Sequence, residues 1–516
     1  MDKKPNFLRG AMVLSIAGAI SKVLGAIYRI PLARLLGGEG MGLYQMAYPI
    51  YTTILALATA GIPVAISVLV SRNETQGYTG NSRKIFRVSL IMLFIFGIIL
   101  TLIVMQGAHF LANKVLHEPR AYYPILAVAP AIFFAGLMSV FRGYFQGHQQ
   151  MMPTAVSQVI EQLFRVSAVV LLAFLLFPRG LEYAAAGATF GAVVGGLAGL
   201  FVLMIFYVKH KSAQRSTNQS LVYTEVRSWD LAQQVIKLAV PVSFGAVVLP
   251  LVQVLDAIIV PGRLIAINYS TSQATAFYGQ LSGMAAVLIS LPTIFTIAIA
   301  TSLVPAVSEA LARNDRPELN ERLNYGFRAG MIISFPCAAG LYVLAFQICD
   351  LLYATPEAGI PLEALAFSTI VLAAFQLSSA GLQGISRPEI AMRNLIIIGC
   401  LKVVFNYSLT SVPALNIKGA AIGTVLAFLV GSLLNIIYLK KLTGVRYELG
   451  RLTKIAVVTV AMALAVKMSY QALVGGGIIS HLSTVIAICI GVAVYGLLLF
   501  LVKELDISMI KKLIKA

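Results

Sequence analysis

Two basic residues, Lys22 and Arg29, lie inside an apolar stretch, residues 10–37, that is long enough to cross a bilayer. A lysine or arginine at mid-bilayer costs roughly 2.5 to 3.5 kcal/mol, so such residues usually face a bundle interior or a water-filled path. The two are two helical turns apart and share a face with Gly18 and Gly25, which leave room beside them. This pattern predicts a basic, partly hollow stripe within a membrane bundle.

A structural explanation stays open for each cation. Arg29 could extend to the nearer headgroup layer, and Lys22 could pair with a carboxylate on a neighbouring helix. Counted from a helix start near Phe7, however, Lys22 lies roughly 22 Å along the helix, too deep to extend easily to the headgroups. We therefore expect Lys22 to line a cavity.

Other ionisable and polar residues fall at membrane depth in two later apolar runs. Glu161 and Arg165 are one turn apart and predict an i,i+4 ion pair, which either stabilises the helix or takes part in coupling. Gln253, Asp256 and Arg263 follow one side of another helix. Asp256 could pair with the lysine of the first helix, bind a coupling cation or proton, or form a structural salt bridge.

The composition is that of a polytopic membrane protein. Of 516 residues, 59% are hydrophobic and only 11% are charged. The apolar runs are long and continuous, which favours helices over the alternating strands of a barrel. The net charge of +19 arises mainly from basic residues in short loops. The positive-inside rule explains this net charge, so no binding to nucleic acid is needed to account for it.

No catalytic constellation is present in the sequence. There is no GxxxxGKS or HExxH motif, and the four cysteines have no CxxC spacing. We therefore expect neither an enzyme nor a metal site, and no cofactor beyond a coupling ion of unknown identity.

Fourteen membrane spans are predicted, with basic residues concentrated in alternate loops. Both termini are therefore expected in the cytoplasm. The predicted spans are 8–33, 43–70, 85–108, 121–146, 153–177, 184–207, 235–260, 276–304, 326–352, 361–385, 390–411, 418–439, 452–473 and 480–502.

The sequence also repeats itself. Gln146-Gly147 recurs as Gln383-Gly384, and Ile62-Pro63 resembles Val304-Pro305, at offsets of about 236 to 242 residues. The repeat therefore predicts an all-α fold of two six-helix lobes in parallel orientation, which is the plan of two-lobed transporters. The expected divisions are lobes at 1–207 and 235–440, a basic linker at 208–234, and two additional helices with a basic tail at 441–516.

The duplication relates further basic residues. Lys402 occupies the repeat position of Arg165, and Ile398 stands where Glu161 would be. Lys402 is expected to find its partner on another helix or to line the cavity of the second lobe. Arg142, at the predicted cytoplasmic end of a span, is expected to extend to the headgroups or anchor a loop.

Several stretches resemble a known family. They are SKVLG at 21–25, Arg29, ARLLG at 33–37, the following GEGMGLYQMAYPIY, and GIPVAIS at 61–67. Together they resemble the opening of the SpoVB-like polysaccharide-biosynthesis transporters. These belong to the multidrug/oligosaccharidyl-lipid/polysaccharide (MOP) superfamily, which includes the MurJ lipid II flippases. Lys22 stands at the arginine of the SRVLG motif of MurJ-like proteins, while the next arginine of that pattern falls at Tyr28, with Arg29 shifted by one position.

The resemblance implies a flippase of the bacterial cytoplasmic membrane. Its substrate would be an undecaprenyl-pyrophosphate-linked saccharide, with lipid II as a candidate, moved between leaflets by two lobes rocking around a cationic cavity. Lysine or arginine would neutralise the pyrophosphate. Spans 13 and 14 would hold the lipid tail. The expected partners are lipid and the cell-wall synthesis machinery, and a path enclosed by one chain needs only a monomer.

Two alternatives stay open. A drug exporter of the same superfamily would couple to sodium or protons through Asp256 or Glu161, although its cavity would be expected to be acidic. A scaffold of cell-wall synthesis would transport nothing. In that class of protein, neutralising Lys22 would affect stability alone.

Overall fold

The structure, a computed structural model, describes residues 4–216 and 227–504, with side chains from residue 10 onward except at 11 and 213–216. Every regular element in these ranges is helical. The linker predicted at 208–234 falls partly outside the described residues, and the tail from residue 505 falls wholly outside them.

Two compact units divide the chain. The first comprises Met1–Gly262 with Thr271–Gly279, and the second comprises Arg263–Ser270 with Gln280–Ala516. The first ten helices are α1 Lys4–Ile27, α2 Arg29–Thr59, α3 Ile62–Thr75, α4 Thr79–Phe110, α5 Tyr122–Val128, α6 Pro130–Gly147, α7 Met152–Leu176, α8 Leu181–Ser216, α9 Ser228–Ala266 and α10 Thr271–Tyr278. The later helices are α11 Ala286–Ala312, α12 Arg316–Val343, α13 Ala345–Tyr353, α14 Gly359–Leu365, α15 Ser368–Gly384, α16 Pro388–Thr410, α17 Ile417–Thr443, α18 Leu449–Gly475 and α19 Ser480–Leu501.

Each unit has its own apolar core. In the first unit, α3, α4, α6 and α8 bury large side chains, and Phe86 stacks on Tyr207 with ring centroids 4.6 Å apart. In the second unit, α11, α12, α15 and α17 pack around Leu323 and Leu377. A further cluster joins α18 and α19 to α12, where the Tyr495 hydroxyl donates to the Ile332 carbonyl at 2.8 Å. The two last helices are thus attached to the second unit.

Within the described residues, 12 helical segments are long and apolar enough to cross a membrane, or 13 if the bent pair Pro356–Leu365 and Ser368–Gly384 is one span. One of the 12, Met12–Thr75, has 64 residues. As one straight helix at 1.5 Å per residue it would be ~96 Å long, far more than a bilayer core of ~30 Å. It contains most of the first predicted span and all of the second, and it is interrupted at Gly37, whose φ of +63° suits a residue without a Cβ. The count of 14 spans stays a prediction.

The boundary between the units differs from the predicted lobe boundary at residue 235, because most of α9 packs in the first unit. The Gly61 amide donates to the Ser243 hydroxyl at 3.1 Å. A Cβ added at Gly61 would lie 2.0 Å from the Ala239 carbonyl oxygen, so glycine permits this close helix approach. α9 already begins at Ser228, inside the segment expected as the linker.

A polar network holds α10 in the first unit. Arg120 binds Glu39 at 2.6 Å and Glu118 at 2.8 Å, and the Thr275 hydroxyl donates to Glu118 at 2.7 Å. The Ser272 hydroxyl also donates to Glu39, at 2.5 Å. Glu118 is 1% exposed, and these contacts satisfy its carboxylate.

Backbone features repeat at an offset of 237 residues. Left-handed residues occur at His117 (φ 55°) and Ala354 (φ 53°), and again at Gln149 (φ 60°) and Ser386 (φ 59°). Each of these pairs follows equivalent helices, in keeping with the sequence repeat. The symmetry of the lobes as whole bodies stays a prediction.

The repeat extends to packing. A Cβ added at Gly147 would lie 2.6 Å from the Cβ of Val70, and one added at Gly384 would lie 2.7 Å from the Cβ of Val307. Both glycines end a helix, α6 and α15, and both let it approach a neighbour closely. The Gln-Gly matches in the sequence therefore correspond to two equivalent helix contacts.

Candidate anion-binding site

A charged network links α6 and α7 in the first unit. The Glu161 carboxylate accepts from Arg142 at 2.8 Å through one oxygen and from Arg165 at 2.5 Å through the other. Glu161 and Arg165 face the same side of α7 because they are four residues apart. Arg142 reaches them from α6 and also donates to the Ser157 hydroxyl at 3.2 Å.

The i,i+4 pair expected from the sequence is therefore present, but as part of a triad. The expectation for Arg142 was wrong: its guanidinium binds Glu161 instead of extending to the headgroups or anchoring a loop. A third residue 19 positions away from Glu161 in sequence is brought in by the packing of α6 beside α7. Periodicity within one helix gives no sign of such a contact.

Arg29 lies close by, among tyrosines of α2 and the residue before it. Tyr28 and Tyr44 share a hydrogen bond of 2.9 Å between their hydroxyls, and Tyr44 stacks on Tyr48 with centroids 5.6 Å apart. Tyr48 lies within electrostatic range of both Arg29 and Arg165, so the tyrosines connect Arg29 to the triad. We call Arg29, Arg142, Glu161 and Arg165 with Tyr28, Tyr44, Tyr48 and Tyr51 the arginine–tyrosine cluster.

The cluster carries more positive than negative charge. It contains three arginines and one carboxylate, which gives a formal charge of +2, and two of the arginines contact that carboxylate. Within the described residues, the Nε atoms of Arg29 and Arg165 are buried without a hydrogen-bond partner. Unbalanced cations and unmet donors in a membrane bundle are costly unless an anion offsets them. The arrangement can therefore hold an anionic group that accepts several hydrogen bonds.

Access to the cluster is narrow but not closed. The side chains of Arg142, Glu161 and Arg165 are 18%, 14% and 16% exposed. Guanidinium groups suit phosphate because their planar donors match its oxygens in pairs. The tyrosine hydroxyls add further donors without adding charge.

Lys22 has different surroundings from Arg29. α1 ends at Ile27 and α2 begins at Arg29, but Tyr28 between them keeps helical backbone angles (φ −64°, ψ −22°), so the helical path from Lys22 to Arg29 is continuous. Ser21 and Gly25 form the contact with α7, the first through a hydrogen bond of 3.4 Å to the Gln158 carbonyl. Lys22 lies outside that contact with an exposed side chain.

The predicted residues of α9 belong to two units. Gln253 is exposed and Asp256 is half-buried, both in the first unit. Arg263 lies in the second unit, where its guanidinium sits 3.6 Å above the ring centre of Tyr407. This cation–π contact fixes the arginine against α16. Sequence spacing gave no indication of it.

In the second unit, neutral residues stand at the repeat positions of Arg142 and Glu161, whereas Lys402 keeps a cation at the position of Arg165. Ser379 stands at the repeat position of Arg142, and the Asn435 side chain donates to it at 2.8 Å. Asn394, at the repeat position of Ser157, donates to Asn435 at 2.8 Å. Lys402 is half-buried on α16 in the same unit. The two halves of the repeat therefore differ in electrostatics.

These features define a polytopic helical membrane protein with a buried basic cluster in its first unit. The sequence profile of the family described as "Polysaccharide biosynthesis protein" matches residues 7–311, and that described as MatE matches residues 274–408. The chain belongs to the polysaccharide biosynthesis family and is a transporter of the MOP superfamily.

Two relatives from Bacillus subtilis (strain 168) cover most of the chain. Stage V sporulation protein B is 31% identical over 433 residues, which is 84% of this chain and 83% of the relative. Lipid II flippase MurJ is 29% identical over 523 residues, covering 95% and 94%.

Solved structures share the fold. Lipid II flippase MurJ in an inward closed conformation superposes with a TM-score of 0.73 at 16% identity, covering 96% of this chain and 99% of that one. An inward-facing multidrug resistance MATE family transporter of the MOP superfamily gives 0.68 at 17% identity, covering 84% and 98%. At these identities the likeness concerns the fold alone.

Proposed function

We propose that this chain is a flippase that moves an undecaprenyl-pyrophosphate-linked saccharide, with lipid II as the leading candidate, from the inner to the outer leaflet of the bacterial cytoplasmic membrane. The observation that carries the proposal is the +2 charge of the arginine–tyrosine cluster. A pyrophosphate that links a lipid to a sugar carries two negative charges, so the loaded cluster is neutral. The relative named for lipid II flipping supports this class of cargo.

The proposal assigns the cationic path to Lys22, Arg29, Arg263 and Lys402, with Gln253 and Asp256 as polar lining. Alternating access would expose these residues to one leaflet at a time. Both termini are then cytoplasmic, and the lipid tail stays in contact with membrane lipid. A single chain suffices for this path, and cell-wall synthesis enzymes are the partners that supply and use the cargo.

The test measures lipid II at the outer surface of cells depleted of their own flippase and supplied with this protein. Wild type should restore exposure, and Lys22→Ala should not, at equal membrane abundance. Lys22→Arg keeps the charge and should restore it. Lys440→Ala removes an exposed lysine at the end of α17 and serves as the matched control. If wild type is abundant and folded yet exposes no lipid II, lipid II is the wrong cargo.

A cation-coupled multidrug exporter is the second candidate, favoured by the MatE match and the MATE-like fold. Of the two carboxylates considered for coupling, Asp256 is half-buried on α9, and Glu161 accepts from two arginines. Efflux of a cationic dye from cells expressing the protein, lost in Asp256→Asn, would favour this function.

A further inference from the structure

Glu161 decides the charge of the arginine–tyrosine cluster. We propose that Glu161 is a permanent counter-charge that limits how tightly the cluster holds a pyrophosphate-linked lipid, so that the cargo can be released. This inference rests on the proposed function. With Glu161 ionised the cluster is +2, and binding a pyrophosphate diester gives a neutral complex. Without that carboxylate the cluster would carry +3, and the complex with the same cargo would keep one unbalanced positive charge.

The geometry indicates that Glu161 stays in place when an anion enters. Its two oxygens are held by guanidiniums on two helices, from Arg142 on α6 and Arg165 on α7. The donors left for an entering anion are elsewhere, at the buried Nε atoms of Arg29 and Arg165. The cargo phosphates therefore need not displace the carboxylate, and its charge acts on them throughout binding.

The second unit shows that this acid is not required by the helix packing. At the repeat position of Glu161 the chain has Ile398, which is buried at 2% exposure and packs against Gly431. The equivalent helices α16 and α17 form without a carboxylate there. A function in charge control explains why the acid stands in the unit that holds the arginines.

The experiment separates affinity from transport. The Kd for undecaprenyl-pyrophosphate-linked N-acetylglucosamine is measured with the purified full chain, as wild type and as Glu161→Gln. Lipid II at the outer surface of cells is followed for the same two proteins. Removing one charge a few ångströms from the phosphates should tighten the Kd by roughly tenfold or more. The slower release should lower the rate of exposure by a similar factor. A purely structural role predicts the opposite, weaker binding, because the arginines would lose their anchor.

Two further variants control for charge and folding. Glu161→Asp keeps the negative charge and should not tighten the Kd as Glu161→Gln does. The double variant Arg29→Gln, Glu161→Gln returns the formal charge to +2 and should bring the Kd back towards the wild-type value. Failure of wild type to bind the probe would overturn the proposed function. If wild type binds the probe and a folded Glu161→Gln binds it with the same or a weaker affinity, this inference alone is overturned.

Discussion

Carboxylates at two places in the first unit accept hydrogen bonds from arginine, but the balance of charge differs between the two places. Glu161 shares a cluster with an excess of cations, whereas Glu118 lies in a network where two carboxylates meet one arginine. The surplus positive charge in the first arrangement suits an anionic ligand. The second is complete in itself, because Arg120 and Thr275 satisfy Glu118.

At the residue scale, Arg120→Ala should destabilise the protein by about 3 kcal/mol. It removes the cation from a carboxylate whose side chain is 2% exposed, and breaking a buried pair from one side leaves the charge uncompensated. Thermal unfolding of the purified protein measures the loss. Arg322→Ala breaks an i,i+4 pair in which the arginine is 48% exposed and should cost only about 0.3 to 0.5 kcal/mol. Equal losses would contradict the burial argument.

At the scale of elements, helices meet through glycines at equivalent places in the two repeats. The contact of α6 with α3 at Gly147 and of α15 with α11 at Gly384 leaves no room for a Cβ. Such contacts are typical of membrane bundles, where close backbone approach replaces the hydrophobic effect between helices.

Gly147→Ala and Gly384→Ala should each destabilise their unit by about 1 to 3 kcal/mol, because the added methyl meets a valine Cβ at 2.6 or 2.7 Å. Gly107→Ala, on α4, is the matched control since no atom lies within 4 Å of its added Cβ. This control should be neutral or stabilise by up to about 1 kcal/mol through helix propensity. The melting temperatures of the three variants test this expectation, and a destabilised control would refute the packing explanation.

At the scale of the whole molecule, the first helical segment is too long for a single crossing. If Met12–Thr75 crosses twice, its middle and its end lie on opposite sides of the membrane. The predicted cytoplasmic N-terminus then places Arg34 outside and Gln76 inside. Both side chains are exposed.

Single cysteines at Arg34 and Gln76 test this topology. They are introduced after the four native cysteines, Cys337, Cys349, Cys400 and Cys489, are replaced by serine. A membrane-impermeant maleimide should label Arg34→Cys in intact cells and Gln76→Cys only after permeabilisation. Labelling of both from outside would contradict the two crossings.

The sequence by itself determined the class of protein and the local pairs. Long apolar runs specify membrane helices because the backbone must satisfy its own hydrogen bonds in lipid. The Glu161–Arg165 pair was predictable because both residues lie on one helix at a fixed spacing. The repeat offset likewise pointed to Gly147 and Gly384 before their packing was known.

The tertiary structure alone decided which helices meet. It brought Arg142 to Glu161, set the tyrosines beside Arg29, placed most of α9 in the first unit and stacked Arg263 on Tyr407. It also left the Lys22 side chain exposed, which helical spacing alone does not show. Helical periodicity relates residues on one element, whereas contacts between elements depend on side-chain volumes, glycine positions and kinks along both partners. The charge balance of the cluster is therefore a property of the folded chain.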